Sequence, residues 1–165
     1  GLLKLSHLEA QSQLRKQENI NLLSLAHRLR DSHKQRLAPK NIPLKIAIPA
    51  ELNIQGDENL LLAALANLLE NSIHFSPENG LIKLAAEISA NKTTITLTDQ
   101  GPGIPDYALP RVFERFYSIS RPDSSQKSSG LGLAFVKEII DLHQGSITLE
   151  NISEPEQGTC ATIVI

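Results

Sequence analysis

Apolar residues recur every three or four positions in several stretches of the chain, a spacing that is typical of helices with one buried face. The most regular stretch follows Asp57, a residue that can cap a helix, and runs from Glu58 to about Phe75, with Pro77 beyond its end. The apolar residues that we expect to face the core are Leu60, Leu61, Ala64, Leu65, Leu68 and Ile73. A second helix is predicted from Gly130 to about His143.

The first part of the chain is rich in leucine from Leu2 to Arg36, which predicts helix with an interruption. The spacing is imperfect for a strict heptad repeat, so a continuous coiled coil does not follow. Two interpretations stay open: an amphipathic helix lying on its own domain, or the end of a dimerising helix. Pro39 and Pro43 end this segment, which sets predicted domains at residues 1–38 and 39–165.

Apolar and polar residues alternate in several short segments, which predicts strands with one buried face. These segments are Ile42 to Ile48, Leu52 to Ile54, Leu81 to Ile88, Thr94 to Thr98, and a final pair around residues 147–149 and 161–165. Residues 89–93 join two of them as a hairpin. The predicted fold is α+β, a two-layer sandwich of a mixed, mostly antiparallel sheet with helices on one face, preceded by the N-terminal helix.

Composition places the chain among globular proteins: 165 residues, 41% hydrophobic and 21% charged, with a formal net charge of -2. Scattered Lys and Arg residues form no basic stripe, so we expect no nucleic-acid partner. The single Cys160 and the lack of a long apolar run predict a cytoplasmic location. The chain has no Met and begins with Gly1, so we expect a segment of a longer protein.

Asp99 stands where a predicted strand runs into Gly101 and Gly103. A carboxylate there can accept the exocyclic amine of adenine, and glycines let the backbone approach the ring. Guanine carries a carbonyl at that position and would be repelled. The alternative is an ordinary strand-ending Asp-Gly turn.

Asn67 and Asn71 are four residues apart and therefore project from one face of the predicted helix. An amide oxygen can fill one position around Mg²⁺, whose other ligands would be phosphate oxygens and water. The alternative is an Asn pair that caps or bridges loops.

The segment from Ser129 to Leu133 joins a polar loop to a helix N-terminus, where free N–H groups attract phosphate. It is not a P-loop, because no Lys-Ser/Thr follows the last glycine. Together the three motifs predict a pocket for an adenine nucleotide and its magnesium ion.

The motifs, in this order, resemble the ATP-binding catalytic domain of bacterial sensor histidine kinases, which has the Bergerat fold. Residues 67–77 resemble the family's Asn box, residues 99–104 its first glycine box, and residues 111–117 its Phe box. Residues 129–133 resemble its second glycine box and residues 157–159 a weaker last box. The segment 2–36 resembles the closing helix of the preceding dimerisation domain.

The resemblance implies a role for each matched residue. Asn71 would ligate Mg²⁺, Asn67 would lie near the phosphates, Asp99 would hold the adenine amine and Phe75 would pack on its ring. The other residues implied in the nucleotide site are His74, Gly101, Gly103, Ile104, Arg115, Tyr117, Arg121, Lys127, Ser129, Gly130, Leu131, Gly132, Leu133 and Thr159. Residues 118–129 would form a lid.

The chain departs from the family pattern at three positions. His74 stands where many members have Lys, Ser118 where Arg often follows the Phe-box Tyr, and Ser128 where a glycine is common. The triphosphate would then depend on Arg115, Arg121 or Lys127.

The family transfers the ATP γ-phosphoryl group to a His on its dimerisation domain and then to a response regulator Asp. None of the five histidines, His7 included, lies in the acceptor's sequence setting, so we expect ATP binding without self-phosphorylation. The resemblance implies a homodimeric, inner-membrane full-length protein. Alternatives are a Bergerat-fold ATPase, a serine kinase, or a nucleotide-binding module without catalysis.

Overall fold

The structure is a computed structural model that describes residues 2–9, 16–118 and 132–165. Its helices are α1 (Leu2–Glu9), α2 (Leu22–Ser32), α3 (Lys34–Leu37), α4 (Glu58–Phe75) and α5 (Gly132–Leu142). Its strands are β1 (Glu18–Asn21), β2 (Leu44–Ala47), β3 (Asn53–Gly56), β4 (Ile82–Ser89), β5 (Lys92–Thr98), β6 (Ser146–Asn151) and β7 (Thr159–Val164). Short 3-10 helices cover Ala38–Lys40 and Leu109–Arg111.

Five strands form one mixed sheet in the order β2-β4-β5-β7-β6. The β2–β4 pair is parallel and the other three pairs are antiparallel. Strands β1 and β3 form a separate antiparallel pair, with Ile20 opposite Ile54. The predicted mixed, mostly antiparallel sheet is therefore confirmed.

One continuous apolar core lies between the five-stranded sheet and helices α2, α4 and α5. Its fully buried members include Leu69 of α4, Ile82 and Leu84 of β4, and Ile139 and Ile140 of α5. Each is a large aliphatic side chain, and burying one stabilises the fold by about 1.5–3 kcal/mol. The two-layer arrangement follows from the apolar stripes of these helices.

Helix α4 has the predicted bounds, and polar groups satisfy both of its ends. Asp57 Oδ1 accepts the N–H of Leu60 at 3.1 Å. At the other end, Lys40 Nζ donates to the carbonyls of Ile73, His74 and Ser76 at 2.8, 3.0 and 3.0 Å. A cation over the last carbonyls also complements the helix dipole.

The leucine-rich N-terminal segment is helical with an interruption, as predicted, and a strand forms part of the interruption. Strand β1 separates α1 from α2, and the Asn21 side chain caps α2 by accepting the N–H of Ser24 at 2.9 Å. The buried residues Leu25 and Leu29 of α2 belong to the same core as α4 and the sheet. Propensity alone could not show this, because the pairing partner of β1 lies more than 30 residues later.

Helix α1 contacts α5 rather than the main core. Its Leu5 is buried in a small cluster with Ala134, against which Phe135 packs. No helix among the described residues is long and apolar enough to cross a membrane.

One further difference from the sequence prediction concerns a loop. The β4–β5 connection is tighter than residues 89–93, because Ala90 and Asn91 both take positive φ angles of 51° and 63° in a two-residue turn.

Candidate functional site

A cavity of about 120 Å³ opens beside α4, at the ends of the central strands and the start of α5. Helix α4 contributes Leu68, Asn71, Ser72 and Phe75, which are spaced by three or four residues and so share one face. The sheet contributes Leu97, Leu149, Thr159 and Ala161. The other described lining residues are Asp99, Gly103, Ile104, Val112, Tyr117, Ser118, Gly132 and Leu133.

Asp99 is only 5% exposed, and backbone and side-chain donors hold its carboxylate. Its Oδ1 accepts the N–H groups of Gly101 at 2.9 Å and Thr159 at 3.2 Å. The Thr159 hydroxyl lies 3.1 Å from Oδ1 and 3.0 Å from Oδ2. Because donors concentrate on Oδ1, Oδ2 keeps capacity to accept another hydrogen bond.

The backbone at Gly158 passes so close to Asp99 that no side chain fits between them. A Cβ at Gly158, where φ is +140°, would lie 1.9 Å from the Asp99 carbonyl oxygen. The adjacent Asp99 N–H donates to the Thr159 carbonyl at 3.0 Å. The last-box glycine therefore allows β7 to meet the end of β5 and to deliver Thr159 to the carboxylate.

Asn67 and Asn71 lie on one side of α4 but differ in their bonding. Asn67 Nδ2 donates to the Ala63 carbonyl at 2.9 Å, while its Oδ1 faces the start of α5, 3.3 Å from where a Cβ on Gly132 would stand. Asn71 lines the cavity and makes no side-chain hydrogen bond to the residues that the structure describes. Its amide is the one open to a ligand in the cavity.

A mostly apolar cavity with a buried carboxylate at one wall and an unengaged amide at another suits a flat heterocycle that carries a polar tail. Comparison with known proteins indicates which class of ligand this is. A family model described as the histidine kinase-, DNA gyrase B- and HSP90-like ATPase matches residues 56–165. The chain belongs to this ATPase family.

Individual relatives place the chain within the family. It is 47% identical over 135 residues to the sensor protein CreC of Escherichia coli K12, an alignment that covers 82% of this chain and 28% of CreC. The catalytic domain of histidine kinase ThkA has 27% identity and a TM-score of 0.80, with 91% of this chain and 97% of that one covered. Histidine kinase ThkA in complex with response regulator TrrA matches with 25% identity and a TM-score of 0.77, over 99% of this chain and 46% of that one.

In sequence and fold the chain is similar to histidine kinase catalytic domains, and it spans little more than a quarter of the length of CreC. Family membership implies that it binds ATP. The sequence interpretations of the family and of the Bergerat fold are confirmed. The cavity described above is then the candidate nucleotide site of this catalytic domain.

The structure brings nine of the residues implied by the sequence to this cavity. They are Asn71, Phe75, Asp99, Gly103, Ile104, Tyr117, Gly132, Leu133 and Thr159. Asn67 and Gly101 lie beside it without lining it, Gly101 through its N–H to Asp99. Arg121, Lys127, Ser129, Gly130 and Leu131 lie outside the described residues.

His74 and Arg115 do not line the cavity in the described part of the catalytic domain. His74 is exposed near the end of α4, and its ring meets Phe75 edge-on at 6.1 Å between centroids. Arg115 is exposed as well. In the same loop, the guanidinium of Arg111 lies 4.4 Å from the ring centroid of Tyr117, which is cation–π geometry.

Sequence reasoning missed the apolar walls of the site. Leu97 lies two residues before Asp99 and Ala161 two residues after Thr159, so each shares a strand face with a predicted residue. Leu68 and Ser72 likewise share the helical face of Asn71. The period of each element could have identified these residues once the polar ones were placed.

A buried histidine connects the two helices that flank the site. His143, which follows α5, is 8% exposed, and its Nδ1 donates to the Ile139 carbonyl at 2.7 Å. Its Nε2 accepts the N–H of Asp57, the cap of α4, at 3.0 Å. Burial lowers the pKa of His143, although the Ile139 hydrogen bond and the Asp57 charge oppose this. The neutral ring therefore joins the two helices.

Proposed function

We propose that this domain binds Mg-ATP in the cavity and transfers its γ-phosphoryl group to a His on a dimerisation domain, for relay to a response regulator Asp. One observation carries the proposal: the buried carboxylate of Asp99 and the unengaged amide of Asn71 line the same cavity. The first suits the amine edge of adenine and the second suits a phosphate-bound cation.

The adenine end is supported by the bonding of Asp99. Its Oδ2 has capacity to accept the exocyclic amine, since the backbone donors reach Oδ1 only. Apolar side chains, among them Leu97, Leu149 and Phe75, form walls on which a purine ring can pack. Guanine has a carbonyl oxygen at this position, which carries no proton to donate and is repelled by the carboxylate. We therefore expect ATP to be preferred over GTP.

The metal end is supported by the donor chemistry. Mg²⁺ prefers oxygen ligands and retains several waters, so one amide oxygen from Asn71 together with phosphate oxygens suffices. Bound Mg²⁺ would neutralise phosphate charge during transfer. Asn67 donates a hydrogen bond from Nδ2 to its own helix, so its Oδ1 is the atom that would lie beside the phosphates.

The phosphate end depends on residues beyond the described ranges. Ser129, Gly130 and Leu131 precede α5, and we propose that their N–H groups bind the phosphates at the start of this helix. Arg121 and Lys127 remain candidates for the balancing charge. Arg115 is exposed in the described loop and is the third candidate.

The acceptor and the partners are proposals drawn from the relatives. We propose that the His acceptor belongs to the dimerisation domain of a homodimer, of which α1 is the closing part. The solved complex of ThkA with TrrA supports a response regulator as the next acceptor. We further propose that the domain lies on the cytoplasmic side of the inner membrane.

One observation disfavours the hydrolase alternative. Hydrolytic members of the fold resemble one another in having a Glu that activates water, and the Glu nearest to Asn71 in sequence is Glu70. Glu70 Oε1 accepts from Arg36 Nη1 at 2.6 Å and lies 3.4 Å from His33 Nε2, on the α2–α3 side of the helix. It does not line the cavity, so it is poorly placed to act as a base.

The test is a thermal-shift titration of the chain with Mg-ATP and with Mg-GTP. A ligand that binds only the folded state must raise the melting temperature. We expect stabilisation by ATP alone, lost in Asp99→Asn and in Asn71→Ala. Asn59→Ala, an exposed position on the same helix, is the matched control and should respond like the parent chain.

Phosphotransfer is tested separately with γ-labelled ATP and the dimerisation domain of the same protein added in trans. We expect acid-labile phosphate on that domain and little free phosphate. Equal stabilisation by GTP would contradict the adenine assignment. Rapid release of free phosphate by the isolated chain would support a hydrolase instead.

A further inference from the structure

The loop that carries Gly103 and Ile104 along the cavity is held by a side chain from another strand. Ile104 N–H donates to Asn151 Oδ1 at 2.7 Å, and Asn151 Nδ2 donates to the Ile104 carbonyl at 2.6 Å. Both backbone groups of Ile104 therefore bond to one amide. The amide orientation follows from its partners, because a backbone N–H can only donate and a carbonyl can only accept.

The Asn151 side chain holds a part of the loop that is not held by strand pairing. Pro102 and Pro105 lack an N–H, and residues 102–105 form no helix or strand. Residues 102–104 form two hydrogen bonds with the described part of the chain, and both are with Asn151. The Asn151 amide is thus the polar anchor of this stretch of the loop.

The anchor also restricts which residues the loop can carry. Gly103 has a φ of +85°, and a Cβ there would lie 3.0 Å from Asn151 Oδ1. Asn151 is the last residue of β6 and lies opposite Thr159 of β7, whose hydroxyl and N–H hold Asp99. Asp99 and the loop that follows it are therefore both fixed to the end of the same β6–β7 pair.

We propose that Asn151 is a positioning residue for the nucleotide, one that holds Gly103 and Ile104 at the distance from Asp99 that the adenine ring requires. This inference rests on the proposed function, since it deepens the assignment of the cavity to ATP. Asn151 itself does not line the cavity, and it acts through Ile104. Released from Asn151, the loop would have to be ordered by the nucleotide, which lowers affinity.

The sharpest variant is Asn151→Asp. The carboxylate still accepts from Ile104 N–H but faces the Ile104 carbonyl with a second acceptor, so one bond is lost and replaced by repulsion. We expect the Kd for Mg-ATP, measured by titration calorimetry, to rise about 10-fold. The matched control is Asn91→Asp, the same chemical change in the β4–β5 turn away from the site, which should alter the Kd by less than about twofold.

A double variant separates positioning from general destabilisation. Thr159→Val loosens Asp99, the group against which the loop is positioned, and leaves ATP binding weak but measurable, so adding Asn151→Asp should lower ATP affinity much less than it does in the parent chain. The nucleotide-free melting temperature of Asn151→Asp should stay close to that of Asn91→Asp, because Asn151 is exposed. Asn151→Ser, a milder change, provides a second reading of the same effect.

The outcomes distinguish this inference from the proposed function. A parent chain that does not bind ATP would overturn both. A parent chain that binds ATP, together with an Asn151→Asp variant of equal affinity, would overturn the positioning role alone. The positioning role would also be overturned if the losses of ATP affinity in the double variant were additive and Asn151→Asp lowered the nucleotide-free melting temperature more than Asn91→Asp does. Asn151 would then act on stability only.

Discussion

The hydroxyl of Thr159 lies 3.0 Å from Asp99 Oδ2, the carboxylate oxygen that no backbone N–H of the described residues reaches. Thr159 is thus the side chain that orients the carboxylate toward the cavity. Hydrogen bonds to charged groups contribute about 1.5–3 kcal/mol. Under the proposed function, the weakly matching last box of the sequence therefore contributes to adenine recognition through Asp99.

Thr159→Val should weaken ATP binding by about 10-fold or more, because the isosteric side chain keeps the packing but removes the hydroxyl donor. Thr159→Ser keeps the donor and should bind within about threefold of the parent chain. Calorimetric titration with Mg-ATP measures both. Equal affinities for Val and Ser would mean that the hydroxyl has no part in holding Asp99.

The motif residues were predictable from sequence because three motifs, each weak evidence alone, occur together within one small domain. The sequence predicts that Asp99 and Asn71 face a common pocket, and both residues line the cavity. Asn151 could not be found in this way, since an Asn at a strand end is common in turns. Its role depends on a partner, Ile104, that lies 47 residues earlier.

The fold was predictable where one segment decides its own structure. Helix α4 has a capping Asp57 and a long apolar stripe, so its bounds could be set correctly. Strand β1 has neither signal: it is Glu18–Asn21, with one buried residue, Ile20, and it forms because β3 pairs with it. Long-range pairing of this kind leaves no periodic trace in so short a segment.

Lys40 links the end of the N-terminal segment to the end of α4. Its ammonium group donates to three carbonyls at 2.8–3.0 Å, those of Ile73, His74 and Ser76. Lys40→Met keeps the aliphatic stem but leaves the last carbonyls of α4 without this donor. We expect the free energy of unfolding to fall by about 1–2 kcal/mol.

Urea denaturation measures this loss, and Lys92→Met provides the control because Lys92 is exposed at the start of β5. The α4 end includes Phe75, which lines the cavity, so ATP affinity should fall together with stability. A Lys40→Met variant as stable as Lys92→Met would show that water serves the α4 carbonyls equally well.

Glu70 provides a test between a phosphotransfer domain and a hydrolase. The carboxylate pairs with Arg36, and both side chains are partly exposed at 39% and 61%. Glu70→Gln should therefore leave ATP binding and any residual phosphate release unchanged within about twofold. Exposed ion pairs contribute only about 0.2–1 kcal/mol, so the stability loss should be small. A large fall in phosphate release would identify Glu70 as a water-activating base and reverse the proposed function.

The lowered pKa of His143 implies that the stability of the domain depends on pH. The unfolded chain protonates this histidine near pH 6.5, whereas burial holds its folded pKa lower. Below pH 6.5 the unfolded state therefore binds more protons, and the free energy of unfolding falls as the pH drops through the folded pKa. Above pH 6.5 the contribution of the neutral ring is fully present.

Urea denaturation between pH 5 and pH 8 measures this dependence. His143→Gln cannot titrate, so its free energy of unfolding should be lower at pH 8 but should change less between pH 8 and pH 5 than that of the parent chain. His74→Gln, at an exposed position, should keep the parental slope. Because His143 Nε2 accepts from the N–H of Asp57, protonation removes the hydrogen bond that joins α5 to the cap of α4. An unchanged slope in His143→Gln would mean that this junction does not carry the acid sensitivity of the domain.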